Sequence, residues 1–471
     1  MPARSATAAK AAAMTVKTAS AQAPSVQAPS AEAVPGFASD LRLDVLAATS
    51  PSLGAKLFAP LPDPAAVAHR QAVFRDLESP ALLEAATSFV AAMSEVHGHR
   101  ERAAAIAHGP ERARWHLEAM AAYRAAVEGL AAALDEAALA SRDLLATRDT
   151  LRDRIASPAF TALAADTDRV LAELAAVRYR LRIDEDRVVV RRADDAADYG
   201  AEVIATFARL WPDETSAPPP VPVSVFETLE LDRIQRAILD QVARQHPAAF
   251  RSLDAFVART ADAIDPAVVA LADDLRFYLD WLAVLAPLRA GGLDVCYPVV
   301  AADGPPLEVR GLVDIELAGR LIAEGRPVIP SDLVMDDAER LVVVTGPNQG
   351  GKTTFARAIG QLVHLASVGV PVPATGARVR LVDAVHTLFA RVEDPSDLTG
   401  RLEAELVRAR SILDALRPEG VVILNDAFSS TTADDALALD RALLGEIRGV
   451  GATAVVVTFL GELATFDAAT V

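Results

Sequence analysis

The chain is 471 residues long, which gives room for two or three domains that each bury a core. Hydrophobic residues make up 52% of it, with many Ala, Leu and Arg, and this composition favours a helix-rich globular protein. The formal net charge of −18 disfavours a tight, unassisted, non-specific binder of nucleic acid, because basic side chains that neutralise phosphates supply most of such affinity.

Membrane and redox signals are weak. No apolar run approaches the roughly 20 residues that span a bilayer, and the N-terminus lacks the apolar core of a signal peptide. The single Cys296 cannot form an internal disulfide, which is typical of a reducing compartment and argues against thiolate-rich metal sites. The sequence therefore predicts a cytoplasmic protein without membrane contact.

The first part of the chain divides into a tail and a helical region. Residues 1–36 are rich in Ala, Ser and Pro with little to form a core, so we interpret them as a disordered tail, with Met14 as an alternative start. Helical periodicity dominates residues 37–290, and over 111–155, where Gly and Pro are nearly absent, it predicts a long amphipathic helix that is broken once or twice. We predict a helical core with long lever helices, interrupted by a small insert near 179–222.

The insert contains two short runs with strand character. Residues 179–183 alternate Arg with apolar side chains, residues 187–191 place three Val between two Arg, and the acidic residues between the runs suit a turn, so a β-hairpin is predicted. Its basic side chains are the best local candidates for contact with DNA phosphates: Arg178, Arg180, Arg182, Arg187, Arg191 and Arg192. Because the neighbouring acidic residues offset this charge, a solvated hairpin without DNA contact is an equal alternative.

From residue 291 the pattern changes to strand, loop and helix, which predicts a parallel α/β sheet. An apolar run at 341–344 leads into a glycine-rich loop and then a helical stretch, in the spacing of a Walker A motif. Such a loop binds ATP, because glycines let backbone N–H groups surround phosphate oxygens. The predicted cofactor-binding residues are Gly346, Pro347, Asn348, Gln349, Gly350, Gly351, Lys352, Thr353 and Thr354.

Two residues of this loop have particular chemistry. Thr353 offers a hydroxyl to Mg²⁺, and Lys352 supplies a compact ammonium that reaches between phosphates. Lys352 is one of only four lysines in a chain that otherwise uses Arg as its cation. We therefore predict that Lys352 has a role in binding or catalysis that Arg cannot fill.

The loop sequence GPNQGGKT at 346–353 resembles the loop of the MutS family of mismatch-repair ATPases. Residues 369–374 resemble the Gly and VPA that follow it, 421–426 the Walker B strand, 430–435 the segment after it, and 458–463 the TH-x-x-EL segment. The resemblance is looser over 58–73. It implies helical levers with a small clamp, joined to a P-loop, ABC-like ATPase domain at 291–471 that forms a homodimer over ATP and Mg²⁺.

The same resemblance implies what this chain lacks. Nothing before residue 38 resembles the mismatch-reading domain, so we expect a branch that does not recognise mismatches. The chain also stops inside the expected ATPase sheet, so we expect a C-terminally incomplete domain.

Several positions depart from the family pattern at the expected chemistry. Asn425 and Asp426 stand where the family has Asp and Glu, so the Mg²⁺ ligands would be Thr353, Asn425 and Asp426, with Asp426 as the general base. Phe459 replaces a His, and Gly400 stands at the position of the signature Ser, beside Arg401. These changes predict slow hydrolysis, with Lys352 and Asp426 as catalytic residues.

Two functions fit this pattern. The first is a MutS-like ATPase that clamps branched or recombining DNA in response to ATP. The second is a nucleotide-binding scaffold that regulates a protein partner without contacting DNA. The lever and insert layout favours the first, and the acidic charge favours the second.

Overall fold

The computed structural model describes residues 35–184, 187–193, 231–347, 350–390, 400–466 and 470. Residues 1–34, which hold most of the predicted tail, lie outside the described residues, as does the predicted insert from 194 onward. Asn348 and Gln349 of the predicted phosphate loop are also outside them. No helix in the described ranges is long and apolar enough to cross a bilayer.

Several helices of the N-terminal region begin at a side-chain N-cap that is followed by Pro. Ser50, Asp63, Ser157 and Asp265 each precede a Pro, and each side chain accepts a hydrogen bond from a backbone N–H of the first turn. The helices are α1 (Gly36–Asp40), α2 (Leu43–Ala47), α3 (Pro51–Leu57), α4 (Pro64–Leu77), α5 (Pro80–Ala105), α6 (Gly109–Glu136), α7 (Arg142–Ala156), α8 (Pro158–Ala175), α9 (Arg233–Gln245), α10 (Pro247–Thr260) and α11 (Pro266–Ala290).

Helices α5, α6 and α11 are the longest of the described helices, and each buries an aromatic side chain. Tyr123, Phe89 and Trp281 are all essentially inaccessible to solvent. Burial of each large apolar side chain stabilises the fold by about 1.5–3 kcal/mol, so this packing holds the helices together. The predicted helix over 111–155 is two helices, α6 and α7, because the backbone leaves the helical region at Ala137 and restarts at the Ser141 cap.

The hairpin follows α8. Strands β1 (Tyr179–Asp184) and β2 (Arg187–Arg192) pair antiparallel, with Arg180 opposite Arg191. The hairpin is attached to α9, because the Gln245 side-chain amide donates a hydrogen bond of 2.8 Å to the carbonyl oxygen of Val190.

The C-terminal region contains one parallel sheet. Its order is β6 (Leu341–Val344), β10 (Thr453–Val457), β9 (Val421–Asn425) and β8 (Val385–Phe389), all parallel. All five residues of β9 are buried, as expected of a strand covered on both faces. Helices α13 (Lys352–Val368), α14 (Arg401–Ala415) and α15 (Ala433–Val450) and a 3₁₀ helix at Gly461–Thr465 accompany this sheet.

The expectation of a single parallel sheet after residue 291 is wrong, because a second, mixed sheet is present. Its order is β3 (Val299–Ala301), β7 (Gly376–Arg380), β4 (Leu307–Leu312) and β5 (Ser331–Val334), with helix α12 (Ile315–Ala323) between β4 and β5. Strand β4 is antiparallel to both β5 and β7. Its partly alternating burial is typical of antiparallel strands with one solvated face, and the short apolar runs do not reveal this pairing.

Helix α13 joins the two regions. Every residue from 358 to 368 is buried, so the helix is enclosed on all sides. Its polar side chains are therefore paired. The Gln361 amide donates to Leu41 O at 2.9 Å and to Asp314 Oδ1 at 3.2 Å, and its oxygen accepts from Ile315 N at 3.0 Å. His364 Nε2 lies 2.8 Å from Leu57 O, so α13 is hydrogen-bonded to the end of α1, the end of α3 and the start of α12.

Gln361→Leu should destabilise the fold by about 3 kcal/mol. The substitution replaces the amide by an apolar side chain and leaves buried donors and acceptors unpaired at a cost of about 1–3 kcal/mol each. Urea unfolding followed by circular dichroism measures this loss. Glu446→Leu, at an exposed helical position, is the matched control and should change stability by less than about 0.5 kcal/mol. Equal stability of the two variants would contradict the role assigned to Gln361.

Candidate functional site

The glycine-rich loop connects strand β6 to helix α13 at the end of the parallel sheet. Gly346 and Gly351 have φ angles of 149° and 86°, which L side chains rarely adopt. Gly351 is the N-cap, so α13 begins at Lys352 with the free N–H groups of its first turn facing the loop. A helix N-terminus after a left-handed turn favours an anion such as phosphate.

The ammonium of Lys352 lies at the centre of this loop. Its Nζ donates to Gly346 O at 2.6 Å and to Pro347 O at 3.3 Å. The same Nζ lies 4.0 Å from the centroid of the Phe459 ring, within the range of a cation–π contact. The loop carbonyls and the aromatic ring together determine where this charge sits.

Thr353 and Asn425 are brought together although 72 residues separate them. Strand β9 ends at Asn425, beside Val457 of β10 and Phe389 of β8, so the carboxyl ends of the strands meet here. The Thr353 hydroxyl donates a hydrogen bond of 2.9 Å to Asn425 Oδ1. Because the hydroxyl proton points at Asn425, the lone pairs of Thr353 Oγ1 remain available to a cation. Thr354, also predicted to bind phosphate, is half-buried in the first turn of α13.

Asp426 follows directly in an unusual backbone conformation. Its φ is 50°, and Phe428 two residues later has φ 53°, both in the left-handed region. The ring of Phe428 is 2% exposed, so its burial offsets the roughly 1–3 kcal/mol cost of this backbone. Asp426 Oδ1 is buried without a hydrogen-bond partner. Burial raises the pKa of Asp426, and the charge of Lys352 opposes that rise.

Two acidic residues near Asp426 were missed by sequence reasoning. Asp440 on α15 and Glu405 on α14 are 2% and 6% exposed, and each has an oxygen without a hydrogen-bond partner. Burial, with the charges of Asp426 and Glu405, raises the pKa of Asp440 to about 7. Both lie in amphipathic helices, where an acidic residue at an apolar position was the available signal.

Arg401 connects α14 to the loop after strand β9. Its guanidinium donates to Ser429 Oγ at 3.3 Å and lies 3.5 Å from Glu405 Oε1. The Ser430 hydroxyl donates to Glu405 Oε2 at 3.0 Å. Gly400 is the N-cap of α14, so the position expected to hold a signature Ser lies at a helix N-terminus.

The described residues contain no group of three or more His, Cys, Asp or Glu placed to hold a metal ion. The predicted Mg²⁺ ligands instead combine a hydroxyl, an amide oxygen and one carboxylate. These oxygen donors fit a hard cation that keeps several waters and is shared with a phosphate. His364 is buried against the end of α3, and this burial lowers its pKa to about 4.

The hairpin separates its side chains into two faces. Cross-strand partners point to the same side, so Arg180, Arg182, Arg187 and Arg191 share one face. Neither Arg180 nor Arg191 has an ion-pair partner within the described ranges. Arg178 does not join this face, because its guanidinium donates to the carbonyl oxygens of Ala175 and Val177 at the end of α8.

By its fold, the C-terminal region is an α/β domain with a parallel sheet, a helix after its first strand, and polar residues at the carboxyl ends of the strands. Residues 342–470 match the family model described as MutS domain V. Over these residues the chain is similar to the MutS family.

Three relatives show how far the similarity extends. The DNA mismatch repair protein MutS 2 of Halobacterium salinarum is 34% identical over 193 residues, which are 40% of this chain and 21% of that protein. The DNA mismatch repair protein MutS 1 of Haloarcula marismortui is 31% identical over 219 residues, 45% of this chain and 22% of the relative. The endonuclease MutS2 of Gemmatimonas aurantiaca is 28% identical over 244 residues, 51% of this chain and 26% of the relative. The matched region thus spans about a quarter of each relative.

Asp440→Asn should stabilise the protein at alkaline pH. A carboxyl group with a raised pKa in the folded state keeps its proton where the unfolded chain has lost it, so wild-type stability falls as pH rises from about 4 to about 7. Above that pKa the buried charge costs up to about 4 kcal/mol, which the amide avoids. Urea unfolding at pH 5 and pH 8 should show a gain that is larger at pH 8.

Asp434→Asn is the matched control, since this acid lies on the same helix but is exposed. It should show no comparable difference between the two pH values. A gain for Asp440→Asn that is the same at pH 5 and pH 8 would show that ionisation of this residue is not the cause.

Proposed function

We propose that this protein is a MutS-like ATPase that couples ATP binding to the clamping of DNA, and that it acts on branched or recombining DNA. The observation that carries the proposal is the assembly of Lys352, Thr353 and Asn425 at the carboxyl end of a parallel sheet. The match of residues 342–470 to MutS domain V supports it.

ATP would bind in the loop from Gly346 to Thr354. Backbone N–H groups of the first turn of α13 would contact the phosphates, and Lys352 would neutralise their charge. Thr353 and Asn425 would position Mg²⁺, with Asp426 beside them. Mg²⁺ held there would neutralise negative charge that develops during phosphoryl transfer.

Hydrolysis should be slow for reasons that lie in the side chains. Asn425 supplies an amide oxygen where a carboxylate would hold Mg²⁺ more tightly. Asp426 is the candidate general base, but its carboxylate is one methylene shorter than that of Glu, and a shift of about 1 Å can cost about 10²-fold in rate. The phenyl ring of Phe459 can neither donate nor accept a hydrogen bond at this site.

The DNA contact is proposed for the basic face of the hairpin. Arg180 lies directly opposite Arg191, and like charges at such a position are destabilising unless an anion lies between them. A phosphate backbone supplies that anion. Arg182 is on the same face, whereas Arg178 caps the end of α8 and is the weakest of the predicted contacts.

A homodimer through the ATPase domain fits an exposed apolar pair on α14. Leu406 and Val407 are 40% and 64% exposed, one turn after Arg401. In a dimer these side chains would be covered, and Arg401 could supply a cation to the partner's nucleotide by analogy with arginine fingers.

The net charge of −18 favours a second candidate, a nucleotide-binding scaffold that regulates a protein partner. The two candidates share the nucleotide site and differ in DNA binding. A response of ATP turnover to DNA separates them.

Lys352→Ala should abolish ATP binding that the wild type shows at micromolar concentration, because the phosphates lose their neutralising ammonium. Calorimetry measures affinity, and phosphate release measures turnover with and without branched DNA. Lys56→Ala removes a lysine from the helical core and is the matched control, with unchanged affinity expected. Turnover raised by DNA supports the clamp, and turnover that DNA does not change supports the scaffold. No ATP binding by the wild type would overturn both.

Replacing Arg180 and Arg191 together by Ala should weaken binding to branched DNA and lower the salt dependence. If each contacts one phosphate, the slope of log K against log salt should fall by about two, since each contact contributes about 0.9. The matched control replaces two exposed arginines of the ATPase domain, Arg410 and Arg441, and loses the same charge. An equal loss in both double variants would assign the effect to net charge and not to the hairpin.

A further inference from the structure

Phe459 is an exposed aromatic residue in contact with the key cation of the loop. Its side chain is 56% exposed, and its ring centroid lies 4.0 Å from Lys352 Nζ. The carbonyl oxygens of Gly346 and Pro347 contact the same ammonium. The ammonium thus has two acceptors from the loop and an aromatic face from a different strand end.

The position of the ring is determined by the backbone on both sides of it. Thr458 N donates to Val344 O at 3.1 Å, which joins the end of β10 to the end of β6. Leu460 N donates to the Thr458 hydroxyl at 3.0 Å, and Thr458 is itself 4% exposed. Phe459 therefore projects from a well-anchored turn, and its ring reaches Lys352 without support from the apolar core.

A phosphate and this ring attract the same charge. In a loop of this type the lysine reaches the β- and γ-phosphates. An aromatic face attracts an ammonium enough to change an equilibrium about two- to five-fold at exposed sites. A phenyl ring offers no hydrogen bond to a phosphate in return. A nucleotide whose phosphates bind Lys352 must therefore displace the ring, and the ring makes no hydrogen bond to the phosphates that would offset the lost contact.

We propose that Phe459 is a positioning residue that competes with nucleotide phosphates for Lys352 and thereby lowers the affinity for nucleoside di- and triphosphates. The proposal rests on the nucleotide binding proposed above. In the sequence, Phe459 stands out only because it replaces a His of the MutS family pattern. Its contact with Lys352 gives it an effect on nucleotide affinity.

Calorimetric titration of ATP, ADP and AMP tests it on three variants of the full chain. Phe459→Leu keeps an apolar side chain but removes the aromatic face, so ATP and ADP should bind about two- to five-fold more tightly. Phe459→Trp presents the face that attracts cations best, so both should bind more weakly than to the wild type. The affinity for AMP should not change, because its single phosphate does not reach Lys352.

Tyr179→Leu is the matched control, an aromatic residue of similar exposure, 47%, on the hairpin. It should bind all three nucleotides as the wild type does. A general structural defect would weaken binding in both Phe459 variants. Higher affinity for ATP and ADP in Phe459→Leu together with lower affinity in Phe459→Trp therefore supports the proposal. Equal affinities of the wild type and the Leu and Trp variants would overturn it and leave nucleotide binding intact. No binding by any of these proteins would overturn the proposed function and this inference together.

Discussion

The structure depends on a helix that is buried on every side. From residue 358 to residue 368, helix α13 has no exposed position, so its polar groups must be paired inside the protein. Gln361 meets this requirement by hydrogen-bonding to the end of α1 and to the start of α12, and His364 by hydrogen-bonding to the end of α3. The N-terminal turn of this helix follows directly on the glycine-rich loop. The helical core is therefore attached directly to the element on which nucleotide would bind.

Charge is distributed unevenly around that loop. Lys352 is the cation and interacts with the charge of Asp426, and Asp440 lies near Asp426 and Glu405. Each of these three acids has a buried oxygen without a hydrogen-bond partner. Buried acids in this arrangement disfavour ionisation, which is why burial raises the pKa of Asp426 and Asp440. The groups that contact the ammonium of Lys352 therefore affect how strongly an entering anion binds to it. The ring of Phe459 and the loop carbonyls are two of those partners, and Asn425 removes one further negative charge from the strand end.

The sequence predicted the local structure around the glycine-rich loop better than the pairing of strands far apart in the chain. The glycine loop, the strand before it and the helix after it follow from residue spacing, because each depends on neighbours along the chain. The mixed sheet did not, since strands β3, β4, β5 and β7 are three to six residues long and their pairing depends on contacts far apart in sequence. The sequence predicted that the helical stretch over 111–155 is broken, but not where. The break between α6 and α7 is placed by the Ser141 cap.

By itself the sequence determined the order of the helical and α/β regions and the strand, glycine-rich loop and helix at 341–368, because these are properties of composition and short-range spacing. Only the tertiary structure decided that Thr353 bonds Asn425, that Asp440 and Glu405 lie buried near Asp426, and that Arg180 faces Arg191. It also decided that Phe459 lies against Lys352. The physical reason is that strand register and helix packing bring these side chains together across long loops, and no local pattern specifies such distances.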